Sequence, residues 1–303
     1  THGGWWEWAP PCNHFSMPYW NHMGHFLHGV ERLSYLLSQG RHACDVAIVY
    51  PVAPSEAGVG GQEAVHAAFD AGNRLYAGGI DFDFMDFQSL ARAKIEDRQL
   101  KVSGESYRVL ILPAMKALRF STLQKAQEFK RAGGLVFALG ALPEASDRAG
   151  RDDPELEAIV RDTFGAKAKD FQELLAEMEK AFPRDFQVLS GKATPCIQHR
   201  KVGPRDVYAV YGVSKGAECL FRAKGRVELW DPWTGATQPL VTVAPRADGT
   251  VVRMPLGEKQ MQLIVFQPGE PGAGVEKTDL DEVLAVQTKD GGVTVTGMAD
   301  SAG

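Results

Sequence analysis

The apolar positions change rhythm along the chain. Over residues 18–39, Met23, Phe26, Leu27, Val30, Leu33 and Leu37 recur at steps of three and four, the spacing that gathers side chains on one face of a helix, and Gly40 follows as a left-handed cap. Such a stripe needs a partner to cover it, so residues 1–42 read as the tail of a larger domain. From Asp45 strand and helix alternate. Residues 46–50 are a buried strand, residues 62–76 a helix with Val65, Phe69, Gly72 and Leu75 or Tyr76 on one side, and Ile80, Phe82 and Phe84 alternate with Asp81 and Asp83. Residues 108–112 and 135–138 are further buried runs, separated by a helix over 121–132 with a capping-box pattern at Ser121 and Gln124 and a closing Gly133. A small hairpin is expected between Lys94 and Tyr107. Alternation of this kind predicts a parallel sheet with right-handed crossovers, hence a flavodoxin-like α/β domain.

Two trailing helices start at Pro154 behind Asp153 and at Phe171 behind Asp170, where Glu173 completes another capping box. They extend the α/β domain to residues 43–185. After Pro183 the helical period stops. Short β-rich runs at 207–213, 218–221, 226–230, 250–254 and 262–266 are separated by turn chemistry such as Asp231-Pro232-Trp233-Thr234-Gly235, which predicts a β-sandwich module over 186–268. Residues 269–303 read as a Gly-rich, charged linker and the start of a further β domain. No repeat of fixed period is present.

Composition narrows the class without naming a function. At 303 residues, 44% apolar and 23% charged, the chain sits near the globular average, which excludes a disordered chain, a collagen-like repeat or a coiled coil. A net charge of −5 with Lys and Arg scattered gives no basic stripe, so no nucleic-acid partner is expected. No apolar run approaches the ~20 residues of a membrane span, and no membrane partner is expected. Cys12, Cys44, Cys196 and Cys219 form no CxxC pair and read as ordinary buried thiols.

Aromatic and imidazole groups crowd the beginning of the chain. His22, His25 and His28 stand three residues apart on the helix, which rotates them around its axis, so they do not converge on a metal. Asp81, Asp83 and Asp86 could be taken for a cation site, but alternation with Ile80, Phe82 and Phe84 makes Asp81 and Asp83 the solvent side of an edge strand. The loop over residues 50–61 lies where such folds bind phosphates, yet its glycines are not arranged as GxGxxG and Glu56 would repel an anion; it reads as a connecting loop. No GxSxG or GxCxG elbow is present. Trp230 and Trp233 flank a turn and read as hairpin packing, with a weak sugar platform as the rival. The loop Trp5-Trp6-Glu7-Trp8 is different: indoles stack on sugar rings and a carboxylate between them can bind hydroxyls, while a wedge packing two domains explains it equally well.

Several ordered segments resemble one family. Residues 5–11, Asn13-His14-Phe15, Pro18-Tyr19-Trp20, the run 32–42 followed by 45–51, Gly79-Ile80-Asp81-Phe82-Asp83-Phe84, the run 107–113 and Glu228-Leu229-Trp230-Asp231-Pro232-Trp233-Thr234-Gly235 are similar to the α-L-rhamnosidase-like proteins of glycoside hydrolase family 106. The resemblance implies the end of a catalytic (β/α)8 barrel over 1–42, then the flavodoxin-like domain, then β-sandwich modules. It implies inverting hydrolysis of a glycoside or oligosaccharide by two carboxylates lying upstream of this chain, so that the chain alone is inactive. Barrel active sites are built from strand-to-helix loops, which favours substrate contact by Trp5, Trp6, Glu7, Trp8, Asn13 and His14. No catalytic residue or metal ligand is assigned within the chain. No cofactor is expected in it, although calcium is associated with the family. The resemblance leaves the compartment open, periplasmic or extracellular, and a homodimer is compatible with it. Two departures, the Trp-Trp-Glu-Trp loop and Gly212 where related modules carry Asn, raise a substrate other than rhamnose. The rival function is a non-catalytic carbohydrate-binding or dimerisation module; a flavin-binding protein is the third reading.

Overall fold

The computed structural model describes residues 15–270, 274–275, 282–289 and 292–298. After a tight 3-10 turn at Trp20–His22, helix α1 (Met23–Ser38) presents the expected stripe, but half of it faces outward: Phe26, Leu27 and Val30 are exposed, as is Tyr35, and only Gly29 is buried. Gly29 lies under the indole of Trp233, where an added Cβ would meet the ring at 2.3 Å. Arg32 completes the contact by donating to the carbonyls of Pro232 and Trp233 at 3.0 and 2.8 Å. Strand β1 (Arg41–His42) then pairs antiparallel with Ala193–Val202, so the chain passes along the edge of the later β part before entering the α/β part.

The α/β part runs β2 (Val46–Val49), α2 (Val52–Glu56), α3 (Gly61–Ala77), β3 (Phe82–Met85), α4 (Phe87–Arg92), β4 (Lys94–Glu96), β5 (Gln99–Val102), β6 (Glu105–Tyr107), β7 (Val109–Pro113), β8 (Ala117–Leu118), α5 (Phe120–Arg131), β9 (Leu135–Leu139), β10 (Ala145–Ser146), α6 (Pro154–Phe164) and α7 (Phe171–Ala181). Its central sheet is parallel with the order β3-β2-β7-β9. Strands covered on both faces need apolar side chains at every position. Accordingly Ala47, Val49, Leu110 and Leu112 pack with Leu90, Leu123, Phe129 and Leu156 on one face, and Val46, Ile48, Val109 and Ile111 pack with Ala68, Leu75, Leu174 and Met178 on the other. The expected hairpin insertion is a three-stranded antiparallel sheet, β4-β5-β6. Helices α6 and α7 begin as expected, with Asp153 accepting from Glu155 N–H and Asp170 forming a full capping box with Glu173. Helix α5 does not: it starts one residue earlier, and Asp147 accepts the Phe120 N–H at 2.7 Å in place of a capping box.

The β part comprises β11 (Phe186–Ser190), β12 (Ala193–Val202), β13 (Arg205–Val213), β14 (Glu218–Phe221), β15 (Arg226–Trp230), β16 (Thr237–Pro239), β17 (Val243–Arg246), β18 (Gly249–Arg253) and β19 (Gln262–Gln267). Two antiparallel sheets, β1-β12-β13-β19-β15-β16 and β11-β14-β18-β17, share one core around Phe186, Tyr208, Phe221, Val252, Ile264 and Phe266. Gly212 sits opposite a bulge in β12 with φ +78°, and a Cβ there would meet the Thr194 carbonyl oxygen at 2.1 Å. A positive φ suits Gly, and the carbonyl leaves no room for the Cβ that Asn would bring, so the backbone here requires Gly212. The last described strands, β20 (Glu282–Lys289) and β21 (Gly292–Met298), form an antiparallel hairpin within the stretch expected to be a linker and the start of a further β domain.

Candidate functional site

Trp5, Trp6, Glu7, Trp8, Asn13 and His14, the residues expected to touch a sugar, lie outside the described residues. Among the described residues, polar chemistry is concentrated where β1 and the β part meet the α/β sheet. His42 is held there by its own backbone, since its N–H donates to Glu105 Oε1 at 2.9 Å and the next N–H, of Ala43, donates to His199 O. Its ring lies between two carboxylates: Nε2 is 2.5 Å from Asp81 Oδ2, and Nδ1 is 3.0 Å from both oxygens of Asp83. Asp83 also accepts from Cys44 Sγ at 3.3 Å and from Tyr107 Oη at 2.8 Å.

Burial and charge oppose each other in this cluster. Burial alone would lower the His42 pKa, but the hydrogen bonds to Asp81 and Asp83 raise it far above the ordinary histidine range, so the ring is an imidazolium donating from both nitrogens. Burial raises the Asp83 carboxyl, but His42 and Tyr107 outweigh it and hold Asp83 below the usual carboxylate range. Burial pushes the Cys44 thiol up to about 12. A thiol held protonated is not a nucleophile, so the His42 and Cys44 pair has no basis for covalent catalysis.

A second charged cluster ties the two parts together. His199, almost wholly buried on β12, donates to Asp185 Oδ2 at 2.9 Å and Asp206 Oδ1 at 2.7 Å, and its ring stacks on Tyr208 with centroids 3.9 Å apart. Arg222 reaches from the β part to Asp45 at 2.8 Å, ahead of β2, and to Asp185 at 3.1 Å. These pairs are interior and satisfied, which fits a junction that holds its geometry.

The expectation for Asp81 and Asp83 is corrected by this arrangement. Asp83 is on the edge strand β3 and Asp81 immediately precedes it, but Asp81 is buried and both carboxylates face His42, while Phe84 is the exposed member of the alternation and joins Tyr50 and Phe69 in an aromatic patch. Of the cysteines, Cys44 and Cys219 are buried as expected, Cys196 is exposed, and Cys12 lies outside the described residues. His22, His25 and His28 are exposed and do not converge; His28 pairs with Glu31, and His25 stacks on Trp233. Trp233 is packing against α1, and Trp230 donates to Glu228 within its own strand.

At the carboxyl ends of the parallel strands, an open cleft of about 450 Å³ is lined by Glu56, Ala57, Arg119, Asp147 and Arg151 among others. Of the arginines lining it, Arg119 lies 3.2 Å from Glu56, and nearby Lys116 lies 2.7 Å from Glu63. Carboxylates thus stand against two of the cations that could meet a flavin phosphate. Calcium takes six to eight oxygen ligands. The one group of three converging donors found among the described residues, His42, Cys44 and Asp83, contains an imidazole and a thiol and does not fit it. No described helix is long and apolar enough to cross a membrane.

The arrangement of sheets is one found within glycoside hydrolases. A rhamnosidase from Novosphingobium sp. PP1Y superimposes with a TM-score of 0.66 at 20% identity, covering 88% of this chain and 27% of that one. A GH42 beta-galactosidase from G. stearothermophilus, solved as a catalytic mutant, superimposes with a TM-score of 0.52 at 10% identity over 84% of this chain and 45% of that one. The family is defined by sequence: residues 16–243 match the model of glycoside hydrolase family 106, alpha-L-rhamnosidase, and the chain belongs to that family. No curated protein matches the chain significantly. The chain spans about a quarter of the Novosphingobium enzyme.

Proposed function

We propose that this chain is the portion of an inverting α-L-rhamnosidase-like enzyme that follows the catalytic centre. In this reading α1 is the last helix of a (β/α)8 barrel, residues 43–185 form a flavodoxin-like domain, residues 186–268 a β-sandwich, and residues 269–303 lead into a further β domain. The acid that protonates the leaving oxygen and the carboxylate that activates water both belong to the barrel outside this chain. The loop of Trp5, Trp6, Glu7 and Trp8, with Asn13 and His14, contributes sugar contacts at the barrel mouth.

The observation that carries the proposal is the family match over residues 16–243 combined with coverage of only 27% of a rhamnosidase of the same fold. The outward face of α1 supports it: Phe26, Leu27 and Val30 are an apolar stripe of the kind a barrel helix turns toward its neighbours. The test is turnover of an aryl α-L-rhamnoside by the 303-residue chain and by the protein extended upstream. Activity in the extended protein only, with inversion seen by NMR of the first-formed sugar, supports the reading; turnover by the 303-residue chain overturns it. In the extended protein Trp6→Ala and Glu7→Ala weaken substrate binding, and unchanged KM in both removes the loop from the site.

A further inference from the structure

We propose that His42, Cys44 and Asp83 form a structural site for one thiophilic divalent cation, with Zn(II) the occupant their donor set selects. The proposal stands on the geometry of the junction and is independent of the rhamnosidase reading. One donor atom from each residue lies within 4.8 Å of the others, with Nδ1 to Oδ2 at 3.0 Å and Sγ to Oδ2 at 3.3 Å. Ligands about 2.0 to 2.3 Å from a tetrahedral Zn(II) stand on the order of 3.3 to 3.8 Å apart, so small side-chain adjustments admit the ion. Imidazole with thiolate favours zinc over calcium or magnesium.

The surroundings are those of a metal site as well as of a hydrogen-bonded cluster. Asp81 sits on the far nitrogen of His42, the carboxylate partner that fixes a ligating imidazole, and Tyr107 donates to the ligating carboxylate. Glu105, which accepts the His42 N–H through Oε1, has a buried Oε2 without a hydrogen-bond partner.

Coordination through His42 Nδ1 and Cys44 Sγ displaces to solvent whatever protons those two atoms carry. His42 comes from the edge of the β part and Asp83 from the edge of the α/β sheet. The ion therefore staples the two parts at the point where the chain crosses between them.

The test uses the full 303-residue chain, stripped with chelator and titrated with Co(II). One equivalent is expected, with a thiolate-to-cobalt charge-transfer band that Zn(II) abolishes stoichiometrically. Cys44→Ala eliminates the band and Cys196→Ser leaves it intact. Cobalt held by the exposed histidines gives no thiolate band, so absence of the band in the wild-type chain overturns the site, as does a band that survives Cys44→Ala. If Cys44→Ala fails to fold, Asp81→Asn keeps all three ligands and removes only the partner of the imidazole. It is expected to weaken Zn(II) binding roughly 10- to 100-fold in competition with a chromophoric chelator; unchanged affinity refutes the assignment.

Discussion

Replacing His199 by Gln tests whether the second cluster works as a buried charge network. In the native chain the imidazole is 3% exposed, lies between Asp185 and Asp206 and is stacked on Tyr208. Burial alone would lower its pKa, but the two carboxylates raise it above the ordinary value of 6.5. Removing one partner of a buried ionic cluster costs about 3–5 kcal/mol. The low end, about 3 kcal/mol, applies here because Asp206 keeps Lys201 at 2.6 Å and Asp185 keeps Arg222 at 3.1 Å. A group with a raised folded pKa contributes fully below its unfolded pKa and loses that contribution as pH rises toward the folded one. The gap between wild type and His199→Gln should therefore be widest at and below pH about 6.5 and close at up to about 1.4 kcal/mol per pH unit above it. Burial would raise the Asp206 carboxyl, but His199 and Lys201 hold it low, so its contribution is present above the unfolded value and lost only as pH falls through the folded one. Urea unfolding followed by tryptophan fluorescence between pH about 5 and about 9 thus isolates the histidine. A gap that stays constant over that range would mean that His199 is neutral in the fold, and the charge-network argument fails.

Other consequences concern local structure. Trp233→Ala, at a side chain about two-fifths exposed, should remove roughly half of a core aromatic's 3–5 kcal/mol, or about 2 kcal/mol. Its loss falls on α1, so amide exchange across Met23–Ser38 should accelerate more than across α3; equal protection of α1 in the variant refutes the contact. Asp170→Ala removes the cap accepted from Gln172 and Glu173 and should cost about 1 kcal/mol in urea unfolding. In a Cys12→Ser background, native protein should show one fast thiol toward a chromogenic disulfide, Cys196. The buried Cys44 and Cys219, both pushed up to about 12, should react only on unfolding, and a second fast thiol contradicts that assignment.

What the sequence made legible follows from which signals are local. The strands β2 and β7 are apolar at every position because helices cover both faces, and a run of that kind needs no knowledge of the rest of the chain. The caps at Asp153 and Asp170 are likewise written within four residues. Strands β12 and β17 escaped because Pro195 and Pro245 interrupt them, and β12 turns His199 inward at a position where an apolar residue would have marked the core.

The candidate metal cluster shows a deeper limit. Alternation correctly divides residues 80–84 into an aspartate set and an aromatic set, but a period of two cannot say which set meets solvent. On an isolated edge strand the carboxylates would face water. Here the antiparallel pairing of Arg41 and His42 with Lys201 and Arg200 brings an imidazole against Asp81 and Asp83, about 40 residues away in sequence, and the member of the run left exposed is Phe84. The sign of the alternation is thus decided by a long-range contact between two parts of the fold. The same reasoning applies to α1, whose apolar stripe has the expected period and yet leaves Phe26, Leu27 and Val30 exposed beside the indole of Trp233. Its exposure points to a partner, and its spacing alone could not have distinguished a helix already packed from one that awaits packing.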